Sequence, residues 1–309
     1  QDVDNPKPHP QIYWKCMVDF NVLPTETIIV EDSPIGRQGA SMSGANTMFV
    51  NRSSDLDKYF FDSLINYRTL DYPNDMYENE NLNVLIPLAG RGSRFSDAGY
   101  IFPKPLIEIN GKPMIQVVIE NLNIKANYIF IIQKEHDEKY NLKKVLEILK
   151  PNCKVVYTEG VTEGAACTTL LAEEFIDNEH PLLIANSDQF INWDQNEAMY
   201  YFTTTEADGG ILTFESSHPK WSYARLDDSG MVDLVAEKEP ISKNATVGVY
   251  YWKHGADYVK YTNQMIDSNK RVNNEFYVCP VYNEAINDGK KILIKNIDKM
   301  WGIGTPEDL

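Results

Sequence analysis

The stretch Asn83 to Pro105, NVLIPLAGRGSRFSDAGYIFPKP, constrains this chain more than any other. Val84, Leu85, Ile86 and Leu88 form a short apolar strand, and the turn Ala89-Gly90-Arg91-Gly92-Ser93-Arg94 follows at once. Two glycines let backbone N–H groups face an anion with no Cβ in the way. Arg91 and Arg94 add fixed positive charge suited to phosphate oxygens. Lys104 stands between Pro103 and Pro105, and proline on both sides restrains its backbone. A P-loop would need Gly-Lys-Ser/Thr here, and a dinucleotide fingerprint would need G-x-G-x-x-G; Gly92 is followed instead by Ser93, Arg94 and Phe95. The pattern predicts a triphosphate cradle at a strand-to-helix turn, with a lysine aimed from the side.

Strand, glycine turn and Pro-Lys-Pro together resemble the signature of the sugar-phosphate nucleotidyltransferases, the nucleotide-sugar pyrophosphorylases. Later segments resemble the family in the same order, over most of residues 82–309. The resemblance implies an α/β fold, a Rossmann-like mixed-sheet domain of the GT-A-like kind. It implies that an NTP and a sugar 1-phosphate give an NDP-sugar and pyrophosphate, with Mg²⁺ as cofactor. Leu88 to Ser93 would bind the nucleotide, Gly90 to Arg94 its β- and γ-phosphates, and Lys104 the α-phosphate.

The chain has 309 residues, 43% of them apolar, enough for two domains and a sizeable core. Its net charge of −16 argues against nucleic acid or an anionic membrane as partner. An acidic protein that binds triphosphate needs local basic focusing, which Arg91, Arg94, Lys104 and Lys112 are expected to supply. Cys16, Cys153, Cys167 and Cys279 are scattered, without C-x-x-C or a secretory leader, and read as reduced thiols of a cytoplasmic protein. No apolar run approaches a membrane span. The chain starts at Gln1 rather than Met, as a fragment or a processed chain would.

Residues 1–70 read as helix, strand, helix, strand, helix. Helices are expected at Gln11 to Phe20 and Leu56 to Tyr67, and strands at Thr27 to Val30 and Thr47 to Val50. Lys7-Pro8-His9-Pro10 and Glu31-Asp32-Ser33-Pro34-Ile35-Gly36 resemble the lysine motif and the late acidic motif of haloacid-dehalogenase-like phosphatases and phosphomutases. Asp2 and Asp4 have no strand before them to make either a nucleophile, so this partial α/β segment is expected to be inactive. Residues 71–81, DYPNDMYENEN, read as a linker.

From residue 82 a single α/β domain is expected. Leu106 to Ile109 and Asn110 to Pro113 predict a strand and tight turn, with Pro113 opening a helix. Strands are expected at Asn127 to Gln133 and Cys153 to Tyr157, with a helix at Asp137 to Leu149 between them. Thr162 to Thr169 opens a helix with small residues, so Gly164 and Ala165 permit close approach of a planar base. Glu159 falls near the family's base-reading glutamine, which leaves the base open. Pro181 to Asn186 is a near-continuous apolar strand, as expected of one buried on both faces. Asp188 lies just past it, where α/β enzymes place their chemistry. It matches the family's metal-binding aspartate.

Further strands are expected at Gly209 to Phe214, Ser222 to Leu226, Met231 to Ala236, Ala245 to Tyr250 and Lys291 to Asn296, and helices at His254 to Asn269 and Asn274 to Asp288. By resemblance alone, Glu237, Lys238 and Gly248 would meet the sugar and its phosphate. The family's second metal-binding acid has no counterpart between Trp301 and Gly304, though Asp298 is nearby. Three rivals stay open: a cytidylyltransferase for phosphocholine or a phosphonate, a glycosyltransferase, and a non-catalytic nucleotide sensor. The partners expected are an NTP and a phosphorylated small-molecule acceptor; a homo-oligomer is left open.

Overall fold

The computed structural model describes residues 3–50, 56, 76–90 and 92–309. The chain divides into two units, Gln1–Asp75 and Met76–Leu309.

In the first unit, β1 (Ile28–Glu31) and β2 (Asn46–Phe49) pair in parallel. Parallel neighbours need a crossover, and the helix Pro34–Met42 supplies it. Ser33 caps that helix by accepting the Gly36 N–H, and Pro34 takes the first-turn position where a missing N–H costs nothing. The helix Gln11–Phe20 ends at Asn21 in the left-handed region, and a small core of Tyr13, Met17, Ile29 and Ala40 joins these pieces. The expected helix from Leu56 to Tyr67 lies outside the described residues.

The second unit begins with β3 (Tyr77–Pro87). Tyr77 to Asn81 were expected in the linker but belong to this strand, with Tyr77 and Glu78 in register with Ile124 and Lys125. The main sheet then takes β6 (Ile124–Gln133), β7 (Lys154–Thr158), β8 (Leu182–Ala185), β10 (Gly209–Glu215), β11 (Ser222–Leu226), β12 (Val232–Glu237), β13 (Asn244–Trp252) and β14 (Ile292–Asn296). Its path runs β12-β11-β13-β8-β3-β6-β7, with β14 and β13 both pairing β10. The pairs β8–β3, β3–β6 and β6–β7 are parallel, whereas β13 runs antiparallel to β8, β10 and β11. The sheet is therefore mixed, and an apolar cluster packs on each face. The whole of β8 is buried, as its continuous apolar run predicts.

Two small ribbons complete the unit. β4 (Glu108–Ile109) and β5 (Lys112–Pro113) form a hairpin through Asn110 and Gly111, both at positive φ as a two-residue turn of that twist requires. β9 (Gln189–Asn192), which the sequence reading missed, pairs with β15 (Lys299–Gly302).

Two expected helices change. Asp137 to Leu149 is two helices, Lys134–Tyr140 and Leu142–Leu149, broken where Asn141 turns left-handed at φ 53°. Asn274 to Asp288 is helical only over Val281–Asn287, with Pro280 immediately before it. Proline suits a helix start and disrupts a helix interior, so the residues ahead of Pro280 form a loop instead.

Candidate active site

β3 and β8 are adjacent and parallel, so their carboxyl ends lie side by side. The glycine turn leaves the end of β3, and Asp188 follows the end of β8. A cavity of about 880 Å³ opens there. Of the residues singled out for the nucleotide, Leu88, Ala89, Gly90, Gly92, Ser93, Gly164 and Ala165 line it, together with Arg94, Lys104 and Asp188. Arg91 lies outside the described residues. Lys104 Nζ donates to Asp188 Oδ2 at 2.5 Å, an ion pair between positions 84 residues apart. Both side chains are only partly exposed, so their charges are weakly screened.

Three expected residues stand elsewhere. Glu159 is exposed, pairs with Lys134 at 3.3 Å and does not line the cavity. Lys112 sits on the β4–β5 hairpin, paired at 2.6 Å with Glu120, and adds no charge to the cradle. Asp298 is also absent from the lining.

The Gly164 side of the cavity is built by a close approach. Gly164 has φ 137°, and a Cβ there would lie 2.4 Å from the Phe276 carbonyl oxygen. Phe276 N–H donates to the Glu163 carbonyl, and Ala166 N–H donates to the Phe276 carbonyl, each at 2.9 Å. Arg271 bonds Glu163 at 2.5 Å and stacks over the Phe276 ring. The loop ahead of Pro280 is thereby fastened over Gly164. It adds Asn273, Asn274, Glu275, Tyr277, Val278 and Cys279 to the wall, all but Asn273 expected within a helix from the sequence. Pro280 was the signal that could have found them.

An adjoining wall comes from β11, β12 and β13, through Ser222, Glu237 and Tyr250, which border the loop at Glu275 and Cys279. Burial pushes the Glu237 carboxyl above its usual range, against a hydrogen bond from the Ser222 hydroxyl. Burial also holds the Tyr250 phenol and the Cys279 thiol protonated, well above their ordinary values, so Cys279 is not a ready nucleophile. Lys238 has φ 58° and does not line the cavity; its Nζ donates to the Tyr277 hydroxyl at 2.6 Å, and Tyr277 does line it. Gly248 is one layer back from the lining.

The nucleotidyl transferase family matches residues 84–309, and the chain belongs to that family. Residues 1–50 match the haloacid dehalogenase-like hydrolases. Among curated proteins, the bifunctional protein GlmU of Methanocaldococcus jannaschii is 27% identical over 173 residues, 55% of this chain and 39% of that protein. A mannose-1-phosphate guanyltransferase of Yarrowia lipolytica is 25% identical over 183 residues, 54% of this chain and 48% of that protein. The chain thus spans less than half the length of each of these two relatives. Among solved structures, the nucleoside-diphosphate-sugar pyrophosphorylase of Vibrio cholerae RC9 superposes with a TM-score of 0.63 at 24% identity, covering 73% of this chain and 97% of that one. That likeness establishes the mixed-sheet fold. Among the described residues, no helix is long and apolar enough to cross a membrane.

Proposed function

We propose that residues 84–309 transfer a nucleotidyl group from an NTP to a sugar 1-phosphate, releasing pyrophosphate. A phosphate oxygen of the acceptor bonds to the α-phosphorus as the bond to the β-phosphate bridging oxygen breaks. One observation carries the reading: Lys104 and Asp188 meet beside a glycine turn, at the carboxyl ends of two adjacent parallel strands. In-line phosphoryl chemistry needs positioning and charge neutralisation more than acid–base groups. The Yarrowia lipolytica relative is by its name a mannose-1-phosphate guanyltransferase, which supports a sugar acceptor.

Backbone N–H groups of Gly90 to Ser93 and the Arg94 guanidinium hold the β- and γ-phosphates. Lys104 leaves Asp188 to neutralise the α-phosphate. Lys238, held by Tyr277, reaches the acceptor phosphate from the rim. The donor set fits Mg²⁺: one carboxylate, Asp188, beside room for phosphates matches a cation that usually takes one or two carboxylates and fills its shell with phosphate oxygens and water. Among the described residues, no group of three or more acidic, histidine or cysteine side chains could hold a metal alone, so the nucleotide itself would complete the shell. When bound, the ion would offset the charge that develops on the phosphates. The testing experiment is pyrophosphate release with each of four NTPs against sugar 1-phosphates and phosphocholine. Release with a sugar 1-phosphate supports the reading; release with phosphocholine alone favours the cytidylyltransferase rival, and no release at all overturns nucleotidyl transfer.

A further inference from the structure

Gly248 was expected beside the acceptor, yet another side chain stands between it and the cavity. The place a Cβ would take is already filled, with Asn186 Nδ2 2.2 Å and Gln189 Oε1 2.9 Å from it. Asn186 lines the cavity, and its backbone N–H donates to the Gly248 carbonyl at 2.8 Å, which fixes the residue just past the end of β8. Its side-chain amide has no protein hydrogen-bond partner among the described residues. Gln189, only 2% exposed, is the second half of the arrangement: its Oε1 is buried without a partner.

We propose that Asn186 is a specificity-determining residue that hydrogen-bonds a hydroxyl of the acceptor, and that Gly248 and Gln189 seat its amide. This rests on the nucleotidyl-transfer reading above. The sheet order places it. The triphosphate turn follows β3, and Asp188 follows β8. Ser222, Glu237 and Tyr250 come from strands on the other side of β8. Asn186 therefore stands between Asp188 and the wall that Ser222, Glu237 and Tyr250 build, where the proposed reading puts the acceptor. An amide offers both a donor and an acceptor, and so does a hydroxyl. A quaternary ammonium head offers neither, so this wall selects a polyol phosphate over phosphocholine. Any side chain at position 248 would occupy the amide's seat, which explains the glycine there better than direct contact with ligand.

The test compares wild type with Asn186→Ala and with Asn186→Gln, each checked for folding by its melting curve. Titration calorimetry reads the binding of UTP, CTP, GTP and dTTP alone, then of glucose 1-phosphate, mannose 1-phosphate and N-acetylglucosamine 1-phosphate with the preferred NTP's non-hydrolysable analogue. Asn186→Ala is expected to weaken sugar 1-phosphate binding roughly tenfold, the size of one lost hydrogen bond, while NTP affinity stays within about threefold. In turnover, KM for the acceptor rises and KM for the NTP does not. Unchanged acceptor affinity in a folded Asn186→Ala protein overturns the proposal, as does an equal loss toward the NTP. Wild type that binds an NTP but none of the three sugar phosphates overturns it too, whereas wild type that binds no NTP overturns the nucleotidyl-transfer reading on which it stands.

Discussion

Lys104 and Asp188 pair with each other, so removing either leaves the other unpaired; on the proposed reading, removing Lys104 also deprives the α-phosphate of a partner. Lys104→Ala and Arg94→Ala are each expected to lower turnover at least a hundredfold, about 3 kcal/mol of transition-state stabilisation, measured as pyrophosphate release at saturating NTP. Near-normal turnover in both would remove the proposed cradle. Glu237 gives a second, independent residue-scale test. Its carboxyl titrates higher when folded than when unfolded, because burial penalises the charged form more than the Ser222 hydroxyl helps it. Between the ordinary carboxylate range and its raised folded value, the native state binds more protons than the unfolded state, so this group removes stability as pH rises. Glu237→Gln cannot titrate. The difference in melting temperature between variant and wild type should therefore shift in the variant's favour as pH is raised through that window. A flat difference would show that Glu237 is not held in the environment described.

The elements explain why some features could be read from sequence and others could not. Gly164 and the loop ahead of Pro280 form a wall that depends on a missing side chain. Gly164→Ala would bring a methyl group within 2.4 Å of the Phe276 carbonyl and strain φ 137°. We expect a loss of about 1–3 kcal/mol in stability and a raised KM for the NTP, read by denaturant unfolding and by initial rates. An unchanged KM would mean that the loop does not shape the nucleotide end. Strand β8 and the turn after β3 were legible because their signals are local: an unbroken apolar run, then glycines and arginines in one stretch. The cavity wall from Asn274 to Cys279 was not legible, because the expected helix was run straight through Pro280. Nor was Asn186, whose role depends on a glycine 62 positions later, brought opposite by the antiparallel pairing of β13 with β8. Glu159 and Lys112 each have an ion partner on the surface, which no local pattern in the sequence announces.

At the scale of the whole molecule, the two units differ in what they hold. In the first, Lys7, Tyr13 and Ser33 all turn toward Glu31. Burial alone would raise the Glu31 carboxyl, but hydrogen bonds from Lys7 and Tyr13 together outweigh it and hold it below its usual value. The cluster is thus satisfied internally. The 309-residue chain is expected to release no phosphate from hexose phosphates above background, and Asp32→Asn to change nothing, by inorganic phosphate assay. Hydrolysis lost in Asp32→Asn would show a working second enzyme.

The second unit draws its cavity from nearly its whole length. Leu88 stands on one side and Gly304 on the other, and Ile303 N–H holds the Asp188 carbonyl at 2.9 Å. A ligand seated there is therefore a clasp between the first strand of the unit and its last turns. On the proposed reading, bound nucleotide would by mass action hold these two segments together, so its concentration would set how often the pocket opens locally.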